Sequence, residues 1–280
     1  MMPVRLGAVG YLNARPLVFG LEPSSRFTLR FDVPSRCASL LHDGSIDVGL
    51  IPSIEYLRGD YKVVPGLAIA SRGPVASVAL YTSRPMSDVR SIAMDASSRT
   101  SIALARVLCA RLFRIHPAIE TRSPDLAAML DHHDAALIIG DGALLLDHSN
   151  AGLGQDPPTR EPRRQDPPIE KIDLGEAWTA LTGLPFVYAF WAARANVVTA
   201  AQVRRLKEAL YAGQSAIPDI AAAYNGAGTK QPELCESYLR DNVVYRFGDD
   251  ERRGLLEFYR RCHAQGLIGR IPELRFHGDS

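Results

Sequence analysis

Cysteine is scarce in this sequence, with four in 280 residues. Cys37, Cys109, Cys235 and Cys262 stand far apart and none has a CxxC partner. That excludes a cysteine-based metal site or a disulfide framework, and the four read as reduced, buried helix residues. Net charge is also nearly absent: 32 basic against 31 acidic residues leave +1. The balance gives no electrostatic reason to expect nucleic acid or an anionic membrane as partner. No apolar run approaches the ~20 residues that a membrane span requires. Arg5 interrupts the N-terminal apolar residues early, so no secretory leader is expected. GxSxG, GxxxxGK[ST], GxGxxG and HExxH are all missing. Neither a covalent nucleophile, a nucleotide cofactor nor a metal is therefore expected. Of the seven histidines, His132 and His133 are the one adjacent pair. Neighbouring residues on a helix point apart, so the pair is a poor metal site and reads as a solvated helix end.

The chain does contain enough apolar residues, 46%, for a substantial core. Its length exceeds the usual ~100–150-residue domain, which favours two lobes. Short β-rich runs alternate with helical patterns. Strands are expected at Val4–Val9, 28–33, 48–51, 67–71, 75–82, 91–94, Ala135–Ile139 and 186–193. Helices are expected at 35–42, 102–113, 143–146, 199–211, 231–240 and 249–265. Such alternation predicts an α/β protein with largely parallel sheets. Thr199 and Gln202 form a capping-box pattern, and Gly266 closes the last helix. The segment 155–168 carries QDPP twice and reads as a surface loop. The simplest topology puts residues 1–83 and 188–280 in one lobe and 84–187 in the other. The strands 78–82 and 186–193 then serve as crossings, and a ligand cleft lies between the lobes.

Two strand-to-helix corners mark that cleft. Val4–Val9 runs into Gly10-Tyr11-Leu12-Asn13-Ala14-Arg15-Pro16, and 48–51 runs into Pro52-Ser53. Polar tips of this kind are where open α/β sheets place ligand chemistry. Asn13 offers a donor and an acceptor there, or satisfies a turn. The Ser98-Arg99-Thr100-Ser101 cluster joins three hydroxyls and an arginine to a helix N-terminus, which suits a carboxylate or phosphate. Simple N-capping is the bland alternative, and it needs only one of the hydroxyls. Ser77 enters an apolar strand and is either structural or functional. Gly140 and Asp141 end another strand towards the same cleft, and Asp141 can equally cap the helix that follows.

Several blocks together carry a family resemblance. They are Gly7-x-x-Gly10-Tyr11-Leu12-Asn13-x-x-Pro16, Asp47-Val48-Gly49-Leu50-Ile51-Pro52-Ser53, Gly73-x-Val75-x-Ser77-Val78 and Ser98-Arg99-Thr100-Ser101. Further along come Gly140-Asp141-x-Ala143-Leu144, Asp173-Leu174-Gly175-x-x-Trp178 and Gly183-Leu184-Pro185-Phe186-Val187-Tyr188-Ala189-x-Trp191. In this order, from residue 7 to residue 191, they resemble the chorismate dehydratase family of the futalosine route to menaquinone. The C-terminal helices resemble it only in pattern.

The resemblance implies a type II periplasmic-binding-protein-like fold in a cytoplasmic enzyme. It implies loss of water from chorismate to give 3-[(1-carboxyvinyl)oxy]benzoate, without cofactor or metal. Asn13 and Ser77 become the catalytic candidates. Tyr11, Ser53, Ser98, Arg99, Thr100, Ser101, Gly140 and Asp141 become the substrate-binding candidates. The proton acceptor is expected to be the substrate's own enolpyruvyl carboxylate, with Glu55 as the nearest protein alternative. The sister enzyme 1,4-dihydroxy-6-naphthoate synthase is the nearest rival, expected to open on a Pro-Asn-Asp-type motif where this chain has Tyr11-Leu12-Asn13. A non-catalytic carboxylate binder is the rival of a different class. Apolar helix faces near the C-terminus would serve a homodimer or the core equally.

Overall fold

The computed structural model describes residues 3–21, 26–146, 168–195, 197–228 and 230–278. The expected loop at 155–168 lies, but for Pro168, outside the described residues. Strands β1 (Val4–Val9), β2 (Phe27–Asp32), β3 (Val48–Pro52) and β4 (Tyr61–Ser71) open the chain, with α1 (Pro34–His42) among them. Next come β5 (Val78–Thr82), β6 (Ser91–Asp95), α2 (Arg99–Leu108), β7 (Ala118–Arg122), α3 (Leu126–Leu130), β8 (Ala135–Ile139) and α4 (Asp141–Leu144). After the undescribed stretch come β9 (Glu170–Asp173), α5 (Leu174–Thr182) and β10 (Phe186–Arg194). The chain closes with α6 (Ala200–Ser215), α7 (Ile217–Ala223), α8 (Pro232–Ser237) and α9 (Asp249–Ala264).

The strands form two five-stranded sheets, ordered β2-β1-β3-β10-β4 and β7-β6-β8-β5-β9. Each is mixed rather than largely parallel. β1 runs parallel to β2 and β3, whereas β10 is antiparallel to β3 and β4. The second sheet repeats the pattern, with β6 parallel to β7 and β8, and β5 antiparallel to β8 and β9. The reversal follows from connectivity. β5 and β10 are the strands that enter each sheet from the other, so no right-handed helical crossover sets their direction.

The first passage between sheets lies at residues 72–77. Val78–Thr82 therefore belongs wholly to the second sheet, and the expected lobe boundary at 83 comes too late. The strand also starts at Val78 rather than 75, because the N–H groups of Val75 and Ala76 donate to the Asp173 carboxylate at 2.6–3.0 Å and cannot join a ladder. Gly73 (φ +91°) and Ala76 (φ +63°) turn the chain there. The return passage lies between α5 and β10, where Gly183 closes α5 in the left-handed conformation.

One buried apolar cluster runs through both sheets. Trp178, Phe186 and Phe258 meet edge-to-face within it. All four cysteines are free and buried, as expected. Burial pushes the Cys37, Cys109 and Cys262 thiols up to about 12, which leaves them unreactive. The Thr199–Gln202 capping box forms at the start of α6. Among the described residues, no helix is long and apolar enough to cross a membrane.

Candidate active site

The ends of β1, β3 and β8, the start of β5 and the middle of β10 meet around one hollow of about 480 Å³, including its mouth. Tyr11, Asn13, Ser77, Ser98, Ser101 and Gly140, all read from the sequence as site residues, line it. No Asp, Glu, His, Lys or Arg is among its lining residues. Recognition inside must therefore rest on hydroxyls, an amide and backbone dipoles.

The central device is a hydrogen-bond relay. Asn13 Nδ2 donates to the Tyr238 hydroxyl at 3.0 Å, and Tyr238 donates its single proton to Ser77 Oγ at 2.8 Å. The relay joins the turn after β1 to the passage entering β5, through a tyrosine that is 1% exposed. Two polarities follow. Ser77 accepts from Tyr238 and keeps its own proton to donate. Asn13 places one N–H of its amide on Tyr238, and its Oδ1 is buried and without a hydrogen-bond partner. Tyr245 donates to the Asn13 carbonyl at 3.0 Å and fixes that turn. Burial holds the Tyr238 and Tyr245 phenols above their ordinary range, so both are neutral donors.

Opposite lies the first turn of α2. Ser98 caps the helix by accepting from Ser101 N at 3.3 Å, and the two hydroxyls are 2.9 Å apart. The capping reading and the cleft reading thus both hold, since Ser98 and Ser101 also line the hollow. Their spacing of three puts them on one helix face. The intervening residues radiate elsewhere. Thr100 Oγ1 accepts from Ile54 N at 3.2 Å and lies 3.5 Å from Ser53 Oγ, which donates to the Val187 carbonyl at 2.8 Å. Thr100 and Ser53 therefore tie α2 to the neighbouring 3₁₀ turn Ser53–Arg58 and do not line the hollow. Arg99 turns outward to Glu55 at 2.7 Å. Glu55 also meets His42 at 2.9 Å and Arg58 at 3.5 Å, so its carboxylate is occupied away from the cleft. That location removes it as a proton acceptor there.

Gly140 has φ +63°, and a Cβ on it would stand 2.7 Å from the Tyr11 ring. Only glycine lets that ring close over the hollow, with its hydroxyl 3.3 Å from Ser97 Oγ. Asp141 is not the cap of α4; Gly140 occupies that position. The Asp141 carboxylate instead accepts from Leu12 N at 3.0 Å and from the Tyr224 hydroxyl. It latches the second sheet to the turn that carries Asn13. Burial pushes its carboxyl up, against the pull of these bonds.

Sequence reasoning missed Tyr188, Tyr238 and Asp173. Tyr188 lines the hollow from a strand that reads as uniform apolar core. Tyr238 is 161 residues from Ser77, and no local pattern joins them. Asp173 accepts from Val75, Ala76, Gly175 and Glu176, so one carboxylate caps α5 and clamps the loop that presents Ser77. Its position in the Asp173-Leu174-Gly175 block was visible, but its partners were not. Among the described residues, no group of three or more His, Cys, Asp or Glu could hold a metal ion.

A family model described as menaquinone biosynthesis matches residues 4–264. A curated chorismate dehydratase of Thermus thermophilus is 30% identical over 270 residues, covering 95% of this chain and 97% of that protein. A second, from Campylobacter jejuni, is 28% identical over 259 residues, covering 92% of each. The periplasmic aliphatic sulphonate binding protein SsuA of Escherichia coli superposes with a TM-score of 0.64 at 16% identity, over 100% of this chain and 95% of that one. That likeness shows the fold alone, a periplasmic-binding-protein-like one. With a matching family model along nearly its whole length, and curated relatives that match from end to end, the chain belongs to the chorismate dehydratase family of menaquinone biosynthesis.

Proposed function

We propose that this protein is a carbon–oxygen lyase acting in the cytoplasm, which removes water from chorismate to give 3-[(1-carboxyvinyl)oxy]benzoate. The observation that carries the reading is the Asn13–Tyr238–Ser77 relay, which fixes an amide and a hydroxyl on the wall of a hollow lined by no carboxylate or cation. Chorismate brings the matching groups: two carboxylates and a hydroxyl on a cyclohexadiene.

Polarity assigns the partners. Asn13 Oδ1 would repel a carboxylate, so it faces the substrate hydroxyl and accepts a hydrogen bond from it. Ser77, a donor, faces the enolpyruvyl carboxylate. Ser98, Ser101 and the first-turn N–H groups of α2 receive the ring carboxylate. In this pose the enolpyruvyl carboxylate takes the proton from the ring carbon that bears the ether. The electron pair left behind delocalises through the diene into the ring carboxylate. It then forms the new ring double bond as the neighbouring C–O bond breaks, and hydroxide leaves with the transferred proton as water. Aromatisation drives the step, while the protein holds the reactive conformer and the charge.

Incubating the pure protein with chorismate and following the aromatic product tests the reading. Steady turnover is expected, and binding without turnover would make the protein a carboxylate receptor instead. Tyr238→Phe tests the relay. Losing the phenol frees Asn13 and Ser77 to rotate, so kcat should fall about tenfold with KM little changed. Unchanged kcat and KM would show that the Tyr238 hydroxyl takes no part and the ring only packs.

A further inference from the structure

On the outer side of α2, away from the cleft, the structure has a second concave surface. It lies between the turn Ser53–Arg58, helix α2 and residues 267–270, and encloses about 940 Å³ including its open side. Arg58, Arg99, Arg106 and Arg270 converge on it, and Glu55 is the single acidic residue in its lining. Arg58 and Arg99 share that carboxylate. Arg106 and Arg270 have no ion-pair partner among the described residues, so the groove carries an excess of exposed positive charge.

Its floor is apolar, made by Ile102, Leu267 and Ile268. Past Arg106 and Leu267 the surface continues into a second hollow of about 810 Å³, lined by Cys109 and Ala110 of the π-turn Cys109–Phe113. That π-turn closes α2, and Arg114 ends it in the left-handed conformation. Gln265 lines this end, and its Nε2 is buried with no hydrogen-bond partner. Cations, apolar floor and an unused donor along one groove are the complement of an amphipathic anion.

We propose that this groove is a second ligand site, taking an arene that carries one acidic group. The head would lie against Arg106 and Arg270, and the ring over Ile102 and Leu267. Because α2 belongs to the second sheet's lobe and residues 267–270 to the first, such a ligand spans both lobes and restrains their relative movement.

Fluorescence titration with 8-anilinonaphthalene-1-sulfonate, set against the uncharged N-phenyl-1-naphthylamine, tests the site. The sulfonate should bind one site at least tenfold more tightly, and R106A/R270A should abolish that preference. Saturating chorismate should leave the sulfonate bound, and the sulfonate should lower kcat without raising the KM for chorismate. Equal affinities, a preference that survives R106A/R270A, or displacement by chorismate would each overturn the proposal. The affinity comparison needs no turnover, so it stands apart from the dehydratase reading.

Discussion

Asn13→Ala is expected to lower chorismate turnover by ~100-fold or more, the usual consequence of deleting one preorganised polar group in a water-poor site. The substitution removes Asn13 Oδ1, a buried acceptor without a hydrogen-bond partner, and releases Tyr238 from its second hydrogen bond. The first loss leaves the departing hydroxyl unheld, and the second loosens Ser77. Asn13→Asp keeps the shape but adds a negative charge beside a dianionic substrate, so it should do no better. Circular dichroism should be unchanged, since the turn backbone is held independently by Tyr245 and Asp141. A kcat within threefold of the parent would remove Asn13 from the chemistry.

Trp178→Ala should cost about 4 kcal/mol of unfolding free energy, as large-to-small aromatic replacements in cores do. The ring is fully buried, packs edge-to-face on Phe186 at 5.3 Å and Phe258 at 6.1 Å, and donates Nε1 to the Pro185 carbonyl at 3.2 Å. It sits on α5, between the Asp173 clamp and the return into β10. A cavity there weakens the core and the passage between the sheets together. Urea unfolding reads the effect as a lower midpoint, and a loss below about 1 kcal/mol would mean that the neighbours collapse into the space.

The sequence revealed most of the strands and the longer helices, because hydrophobic period and turn residues are local properties, but β7, β9, α3, α5 and α7 were not among the expected elements. It did not reveal strand direction. β5 and β10 read as apolar runs whichever way they point, and only the passage of the chain between sheets makes them antiparallel. Within the site, the residues at strand ends were legible as polar tips: Asn13, Ser77, Ser98 and Gly140 all reach the hollow. Helix geometry divided the 98–101 cluster in a way that its hydroxyl count concealed. Ser98 and Ser101 share a face, Thr100 turns to Ile54, and Arg99 turns to Glu55. Tyr238 was illegible for a different reason, since its role arises from a contact that only the folded chain makes. The Asp173-Leu174-Gly175-x-x-Trp178 block gains a physical meaning in the same way. Asp173 clamps the 75–76 loop, a Cβ at Gly175 would stand 2.6 Å from Ser71 Oγ, and Trp178 fills the core.

The proposed dehydration depends on a cleft that positions its substrate and leaves proton removal to the substrate's own carboxylate. The pH dependence of kcat tests this most directly. The titratable groups lining the hollow are the Tyr11 and Tyr188 phenols, and burial raises both, so they stay neutral through the physiological range. The Asp141 latch must be ionised, and its raised carboxyl moves the acid limb upward from where an ordinary carboxylate would put it. The predicted profile is one acid limb, displaced upward from an ordinary carboxylate's, followed by a plateau with no basic limb up to about pH 9, below the range where an unperturbed phenol titrates. A bell with limbs on both sides of neutrality would reveal a protein acid–base pair in the step and contradict the account.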